Sequence, residues 1–171
     1  MRKPLQIALR PWRAEDAPRL AQLVNDKRVL ANLAATMPFP YTEENAAQFI
    51  TRTQQPGSLQ FAIAVDGEPV GNIGATERET EFELGYWIGH DYWNRGIATR
   101  AVALLLAKIR PTAKRIKAHV FAFNPASAKV LRNNGFNKRS GYQLEPSFQG
   151  PQAPIFIYDL PQNALDLVNR T

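Results

Sequence analysis

The stretch Tyr92-Trp93-Asn94-Arg95-Gly96-Ile97-Ala98-Thr99-Arg100-Ala101 decides the reading of this chain. Before it lies Glu81 to Ile88, where alternation sets Glu81, Glu83, Gly85 and Trp87 against Phe82, Leu84, Tyr86 and Ile88, the pattern of a strand. After it, apolar residues recur at helical spacing from Ile97 to Arg110, and Pro111 stops them. A strand, a short loop with one glycine and a helix start form a site for a pyrophosphate. The first N–H groups of a helix have no acceptor within it and carry the positive end of its dipole. Gly96 lets the backbone approach a ligand with no side chain in the way, and Arg95 adds a mobile positive charge. A second motif follows: Asn124-Pro125-Ala126-Ser127, then Val130-Leu131, then Asn134-Gly135-Phe136. Asn124 suits the cap of a helix over Pro125 to Asn134, Pro125 its first position, and Gly135 the residue just past its end.

Working outward, Gln6 to Arg10 reads as a short strand and Ala14 to Val24 as a helix, with Pro18 in its first turn. Thr42 is placed to cap a second helix reaching about Thr53, with Glu43 and Glu44 in its first turn. Leu59 to Val65 and Pro69 to Ala75 flank Asp66-Gly67-Glu68, a hairpin signal. Arg115 to Phe123 reads as a strand. Lys138 to Leu144 and Ile155 to Leu160 read as closing strands joined by a Pro/Gly/Gln loop, and Ala164 to Val168 as a short helical tail. The order β-α-α-β-β-β-α-β-α-β-β predicts an α/β (α+β) domain over residues 1–171. Its mixed, twisted sheet has about seven strands, flanked on both faces by about four helices.

Composition narrows the chemistry. A chain of 171 residues with 44% hydrophobic and 10% aromatic content fits one folded domain with a sizeable core. With no cysteine, disulfides, thiolate metal sites and thiol nucleophiles are excluded. With two histidines, no metal site is expected. A catalytic base must then be a carboxylate, His90, His119, a tyrosine, a lysine or water. The longest apolar run, Ala101 to Ala107, is far short of a membrane span, and no leader pattern follows Met1-Arg2-Lys3-Pro4, so a cytoplasmic location is expected. A net charge of +6 and pI near 9.8 suit an anionic ligand. They also allow RNA or ribosome contact as an accessory property, although no aromatic-basic recognition motif is present.

The spaced pair of motifs resembles the GNAT superfamily of acetyl-CoA-dependent N-acetyltransferases, and is most similar to its RimJ/RimL-type branch. Weaker matches run through Leu9-Arg10-Pro11, Glu15-Asp16-Ala17, Asn25-Asp26, Pro38-Phe39-Pro40-Tyr41-Thr42, Phe49-Ile50 and Gly85-Tyr86-Trp87-Ile88. The resemblance implies the GNAT fold, with a sheet split between its fourth and fifth strands. It implies acetyl-CoA as cosubstrate, an amine acceptor such as a protein N-terminus or a small molecule, and direct attack in a ternary complex. A non-catalytic acyl-CoA-binding module of the same fold is the alternative, and a monomer or homodimer is expected.

The family holds the pyrophosphate with a pattern of Gln or Arg, two residues, Gly, one residue, then Gly or Ala. Here those places fall on Trp93, Gly96 and Ala98, so Trp93, Asn94, Arg95, Gly96, Ile97, Ala98 and Thr99 are implied for the coenzyme. Trp93 departs from the pattern, although aromatic residues are common there in this branch. The backbone of Tyr86, Trp87 and Ile88 is implied for the pantetheine arm and thioester oxygen, where the family's strand bulges and splays. Gly85 fits such a bulge, and Trp87 also reads as a core residue. Asn124 is implied to bond the pantetheine arm, or acts as a cap alone. Ser127 is implied to meet the leaving thiolate, since no tyrosine lies between Tyr92 and Tyr142. Glu83 is the candidate base, with Glu81 and His90 behind it and His119 read as a half-buried structural residue. Lys129 and Arg132 read as solvated helix charges that also suit coenzyme phosphates. Gln143 to Pro154 departs from the branch's usual short pattern and leaves the acceptor open.

Overall fold

Tight turns and alternating apolar residues start the sheet. In the computed structural model, which describes residues 4–109 and 114–161, β1 (Ile7–Arg10), β2 (Leu59–Val65), β3 (Glu68–Glu77) and β4 (Glu81–Ile88) form an antiparallel run. Asp66 and Gly67, at φ 50° and 94°, make a two-residue turn that pairs Val65 with Glu68. Positive φ at both central positions matches the right-handed twist of the flanking strands. β5 (Arg115–Phe121) joins β4 in parallel, which requires a crossover, and α4 (Ile97–Ile109) supplies it. The long β8 (Gly150–Leu160) pairs antiparallel with β5, and both β6 (Asn137–Lys138) and β7 (Gln143–Ser147) pair with β8.

Helices cover both faces. On one face α4 and α5 (Pro125–Asn133) pack Ile97, Ala101, Leu105 and Leu131 against Ile73, Phe82, Leu84 and Ile88. The α4 residues recur at a spacing of four, so a single stripe faces the sheet. On the other face, α1 (Ala17–Val24) and α3 (Glu43–Thr53) pack Leu20, Val24, Ala46 and Ile50 around Trp12, with Trp87 against them. Trp12 is 2% exposed and donates its indole N–H to Asn72 Oδ1 at 2.9 Å, and Asn72 Nδ2 donates to Gln60 Oε1 at 3.1 Å. A polar chain thus crosses a buried layer with its members satisfied. Among the described residues no helix is long and apolar enough to cross a membrane.

The expected fold class stands, with different counts. The described residues hold eight strands and five α-helices. The expected helix Ala14 to Val24 opens as a 3-10 turn, Ala14–Asp16, before α1. A short α2 (Lys27–Leu30) follows, capped by Asp26, whose side chain accepts from Arg28 N–H at 2.9 Å. The strand expected over Lys138 to Leu144 is broken into β6 and β7. The Pro/Gly/Gln loop between the closing strands is instead the β7–β8 hairpin. Pro146 is accommodated because the register shifts between Glu145 and Ser147, so its missing N–H falls at an irregularity. The tail expected at Ala164 to Val168 and the helix end at Arg110 lie outside the described residues.

Two substitutions probe this frame. A Cβ on Gly71 would stand 2.2 Å from the Trp87 carbonyl oxygen and 3.0 Å from Ile88 Cα, so β3 and β4 approach there only because residue 71 is glycine. Gly71→Ala is expected to lower stability by about 2 kcal/mol, read as a lower denaturant midpoint; an unchanged midpoint would contradict the close approach. Asp16 is 6% exposed and receives Arg10 Nη1–H at 2.7 Å, Arg10 Nη2–H at 2.9 Å and Arg13 N–H at 2.9 Å. Burial pushes its carboxyl up, but the Arg10 and Arg13 hydrogen bonds outweigh burial and hold it below its ordinary 3.8. A lowered folded value means stability that is complete above the ordinary aspartate range and lost as pH falls through the depressed value. Asp16→Asn, which leaves Arg10 without its ion partner, should therefore cost about 3 kcal/mol at neutral pH. Its deficit should shrink in acid; a pH-independent deficit would show that the ion pair is not its source.

Candidate active site

The site is built where β4 and β5 part. Their parallel register runs from Glu81–Arg115 to Leu84–Ala118 and stops. β4 continues to Ile88 against β3, and β5 continues to Phe121 against β8. Beyond Leu84, the edge of β4 that faced β5 therefore has no strand partner among the described residues. The split expected between the fourth and fifth strands is present. The bulge is not: β4 keeps continuous register with β3 from Phe82 to Ile88. Divergence of β5, rather than an extra residue in β4, opens the edge.

A cavity of about 460 Å³ lies at this opening. Its walls include Tyr86, Trp87 and Ile88 of β4, the loop Trp93 to Gly96, Ile97, Ala98 and Thr99 of α4, and Asn124, Ser127 and Lys129 of α5 with its cap. Gly96 stands at φ 73° and Asn94 at 58°, which turns the loop into the helix. No atom lies within 4 Å of where a Gly96 Cβ would be, so its need is conformational and its exposed backbone faces open space. Arg100 N–H bonds back to the Gly96 carbonyl, so the N–H groups of Ile97, Ala98 and Thr99 precede the helical ladder. These features fit a coenzyme pyrophosphate. The Trp93 indole N–H donates to the Ile88 carbonyl at 2.7 Å and ties the loop to the end of β4. The Arg95 guanidinium sits 5.6 Å over the Tyr92 ring.

The second helix start converges on the same space. Asn124 Oδ1 accepts Ser127 N–H at 3.1 Å, so Asn124 caps α5. The cap uses only the side-chain oxygen, which leaves the amide NH₂ for a ligand. The Ser127 hydroxyl lies 2.8 Å from the Tyr86 hydroxyl, and the Ser127 carbonyl oxygen is a second acceptor within its reach at 3.1 Å. Burial pushes the Tyr86 phenol well above its ordinary value of 10.0, with the Ser127 hydrogen bond a smaller opposing effect. The phenol therefore keeps its proton.

Glu83 stands apart from this cavity. It lies on the other face of β4, on the side of Trp87 and in register with Thr76 and Lys117. Its side chain is 34% exposed, and Oε1 is 3.8 Å from His119 Nδ1. His119 Nδ1 also lies 3.1 Å from Glu145 Oε1 on β7, while its Nε2 is buried without a partner among the described residues. The N–H is thereby assigned to Nδ1, because a buried lone pair costs less than a buried unsatisfied donor. Glu81 is tied to Lys117 Nζ at 2.7 Å, and that hydrogen bond holds its carboxyl below the usual range. His90 does not reach the cavity wall: it lies in the 3-10 turn His90–Tyr92, with its ring 4.8 Å from Trp93. Arg132 does not line the cavity either, whereas Lys129 does.

Sequence reasoning does not reveal the part played by five side chains, Tyr86, Val29, Asn32, Leu33 and Glu145. The Tyr86 side chain shares a face of β4 with Leu84 and Ile88, as alternation requires, but its contact with Ser127 depends on where α5 packs. Val29, Asn32 and Leu33 wall the cavity from α2 and the segment after it, which is too short to show a helical period. Glu145 reaches His119 from a hairpin read as a loop.

The model of the acetyltransferase (GNAT) domain matches residues 6–137. An uncharacterized N-acetyltransferase p20 of Bacillus licheniformis is 26% identical over 167 residues, covering 91% of this chain and 92% of the relative. Among solved structures, Mycobacterium smegmatis RimJ in complex with CoA-disulfide superposes with a TM-score of 0.78 at 24% identity, covering 98% of this chain and 93% of that one. RimL, a ribosomal L7/L12 alpha-N-protein acetyltransferase in complex with coenzyme A, gives 0.77 at 20% identity, covering 92% and 95%.

Proposed function

The chain belongs to the GNAT family of N-acetyltransferases, and from that premise we propose that it binds acetyl-CoA in the cavity between β4, α4 and α5 and acetylates a primary amine. The carrying observation is convergence. Two helix starts distant in sequence, at Gly96 and at Asn124, open into one cavity beside the unpaired edge of β4. RimJ and RimL, similar in fold, carry coenzyme A in their structures and lend support.

On this reading the N–H groups of Gly96, Ile97, Ala98 and Thr99 hold the pyrophosphate, with Trp93, Asn94, Arg95 and Lys129 around it. The Asn124 amide bonds the pantetheine arm. Backbone N–H groups on the open edge of β4, within the span of Tyr86, Trp87 and Ile88, polarise the thioester carbonyl. The amine enters from the opposite face, through the split, and Glu83 takes its proton directly or through a water. The nitrogen attacks the carbonyl in a ternary complex, the C–S bond breaks, and the Ser127 hydroxyl hydrogen-bonds the departing sulfur. Glu81 makes a poor base because Lys117 holds it ionised. The acceptor is a protein N-terminus or a small-molecule amine, and the carboxylates Glu83 and Glu145 on that side suit a cation.

Calorimetric titration with acetyl-CoA, followed by thiol release over a panel of amines and N-terminal peptides, tests the proposal. Binding with acceptor-dependent release is expected. Binding without release from any acceptor would favour a coenzyme-binding module, and no binding would overturn the site. Glu83→Gln should lower kcat about 100-fold, and Ser127→Ala about tenfold. Unchanged turnover in either would remove its assigned role.

Asn124 allows a finer test, since aspartate caps as well as asparagine but lacks the NH₂ donor. Asn124→Asp should leave stability within about 0.5 kcal/mol while weakening acetyl-CoA binding about tenfold. Equal affinity would make Asn124 a cap alone.

A further inference from the structure

The Tyr86 hydroxyl is used by none of the roles above, yet it lies against the group proposed to meet the sulfur. It has one hydrogen and two acceptors within reach, Ser127 Oγ at 2.8 Å and the Ser127 carbonyl at 3.1 Å. Both oxygens belong to a residue whose backbone is already fixed, because Ser127 N–H is bound to Asn124 Oδ1. What remains free is the rotation of the serine hydroxyl. A serine in the first turn of a helix readily turns that hydrogen onto a nearby backbone oxygen, where it is lost to a ligand.

We propose that Tyr86 is a positioning residue for acetyl transfer: its phenol donates to Ser127 Oγ and leaves the serine O–H aimed into the cavity. Three observations carry this. The Oγ contact is the shorter of the two. The Tyr86 ring is packed against the buried cluster under α4 and α5, so its hydroxyl is held by the core rather than by the ligand. Both side chains line the same cavity. Burial also keeps the phenol protonated, so the hydrogen is there to donate. A hydroxyl that accepts one hydrogen bond becomes a better donor in the next, so the pair strengthens the contact to a leaving sulfur. No proton leaves Tyr86; it is a fixed donor.

This inference rests on the reading of Ser127 as the group that meets the sulfur, and a double-mutant cycle separates the two. Tyr86→Phe removes only the hydroxyl. It should lower kcat about fivefold and leave KM for acetyl-CoA within about twofold. Combined with Ser127→Ala, it should add no further loss. The thiol of bound coenzyme A, titrated by its ultraviolet thiolate absorbance, should lose its proton at higher pH in Tyr86→Phe than in the wild type. A tyrosine carrying ring fluorine at position 86, which keeps ring and hydroxyl, should retain turnover, and it serves where phenylalanine disturbs folding. Full turnover in Tyr86→Phe beside an impaired Ser127→Ala would overturn the proposal alone. Losses that multiply in the double variant would also overturn it. Full turnover in Ser127→Ala would remove the reading of Ser127 and the proposal with it.

Discussion

The parting of β4 from β5 after Leu84 and Ala118 is the constraint on which the rest of this molecule depends. Each strand is held by another partner past that point. β4 stays with β3 as far as Ile88, and β5 is drawn to β8 through Phe121. A parallel pair is also the weaker kind of contact per residue, so it is the one that gives way. The opening exposes backbone donors inside a sheet, where they would otherwise be consumed by a ladder. α4 leaves the end of β4 and α5 leaves the end of β5, so both helix starts are delivered to the same gap. This is the logic by which open sheets place ligands at the ends of strands where neighbours diverge.

The gap joins two faces with different chemistry. Tyr86 and Ser127 lie on the side of α4 and α5, half-buried, with two neutral hydroxyls against each other. Glu83, His119 and Glu145 lie on the other side, half-exposed and ionisable. One strand presents both, because successive side chains of β4 point to opposite faces. A donor for a developing anion belongs on the dry side, where a hydrogen bond is strongest, and a base for an incoming ammonium belongs on the wet side, where protons exchange.

Much of this was legible in the sequence for local reasons. Capping residues, Gly96, the Asp66-Gly67 turn and the stripe of α4 act through their immediate neighbours, and each fell where its chemistry required. The convergence of Gly96 and Asn124 was legible only through resemblance, since spacing alone cannot bring two helix starts together. What was not legible depended on tertiary contact. α2 has four residues and shows no period. The β7–β8 hairpin hides behind three prolines, of which Pro146 falls at a register shift. His119 read as a structural histidine, and its place between Glu83 and Glu145 comes from three strands meeting.

The two sides of the cleft also differ in how they are held. The coenzyme side is built from helix starts and a core strand, elements whose backbone is fixed by regular hydrogen bonding. On the proposed reading, the acceptor side is walled by the segment after α2 and the β7–β8 hairpin. These two segments are tied to each other. Ala34 bridges Ser147, Ala35 N–H donates to the Pro146 carbonyl at 3.2 Å, and Gln149 Nε2 donates to the Ala31 carbonyl at 2.9 Å. Phe39 and Phe148 add an edge contact at 6.4 Å. Loops joined in this way can change sequence without disturbing the coenzyme platform, which is how one scaffold comes to serve different acceptors. On that reading, acceptor specificity belongs where the two segments meet, and acetyl transfer belongs at the split.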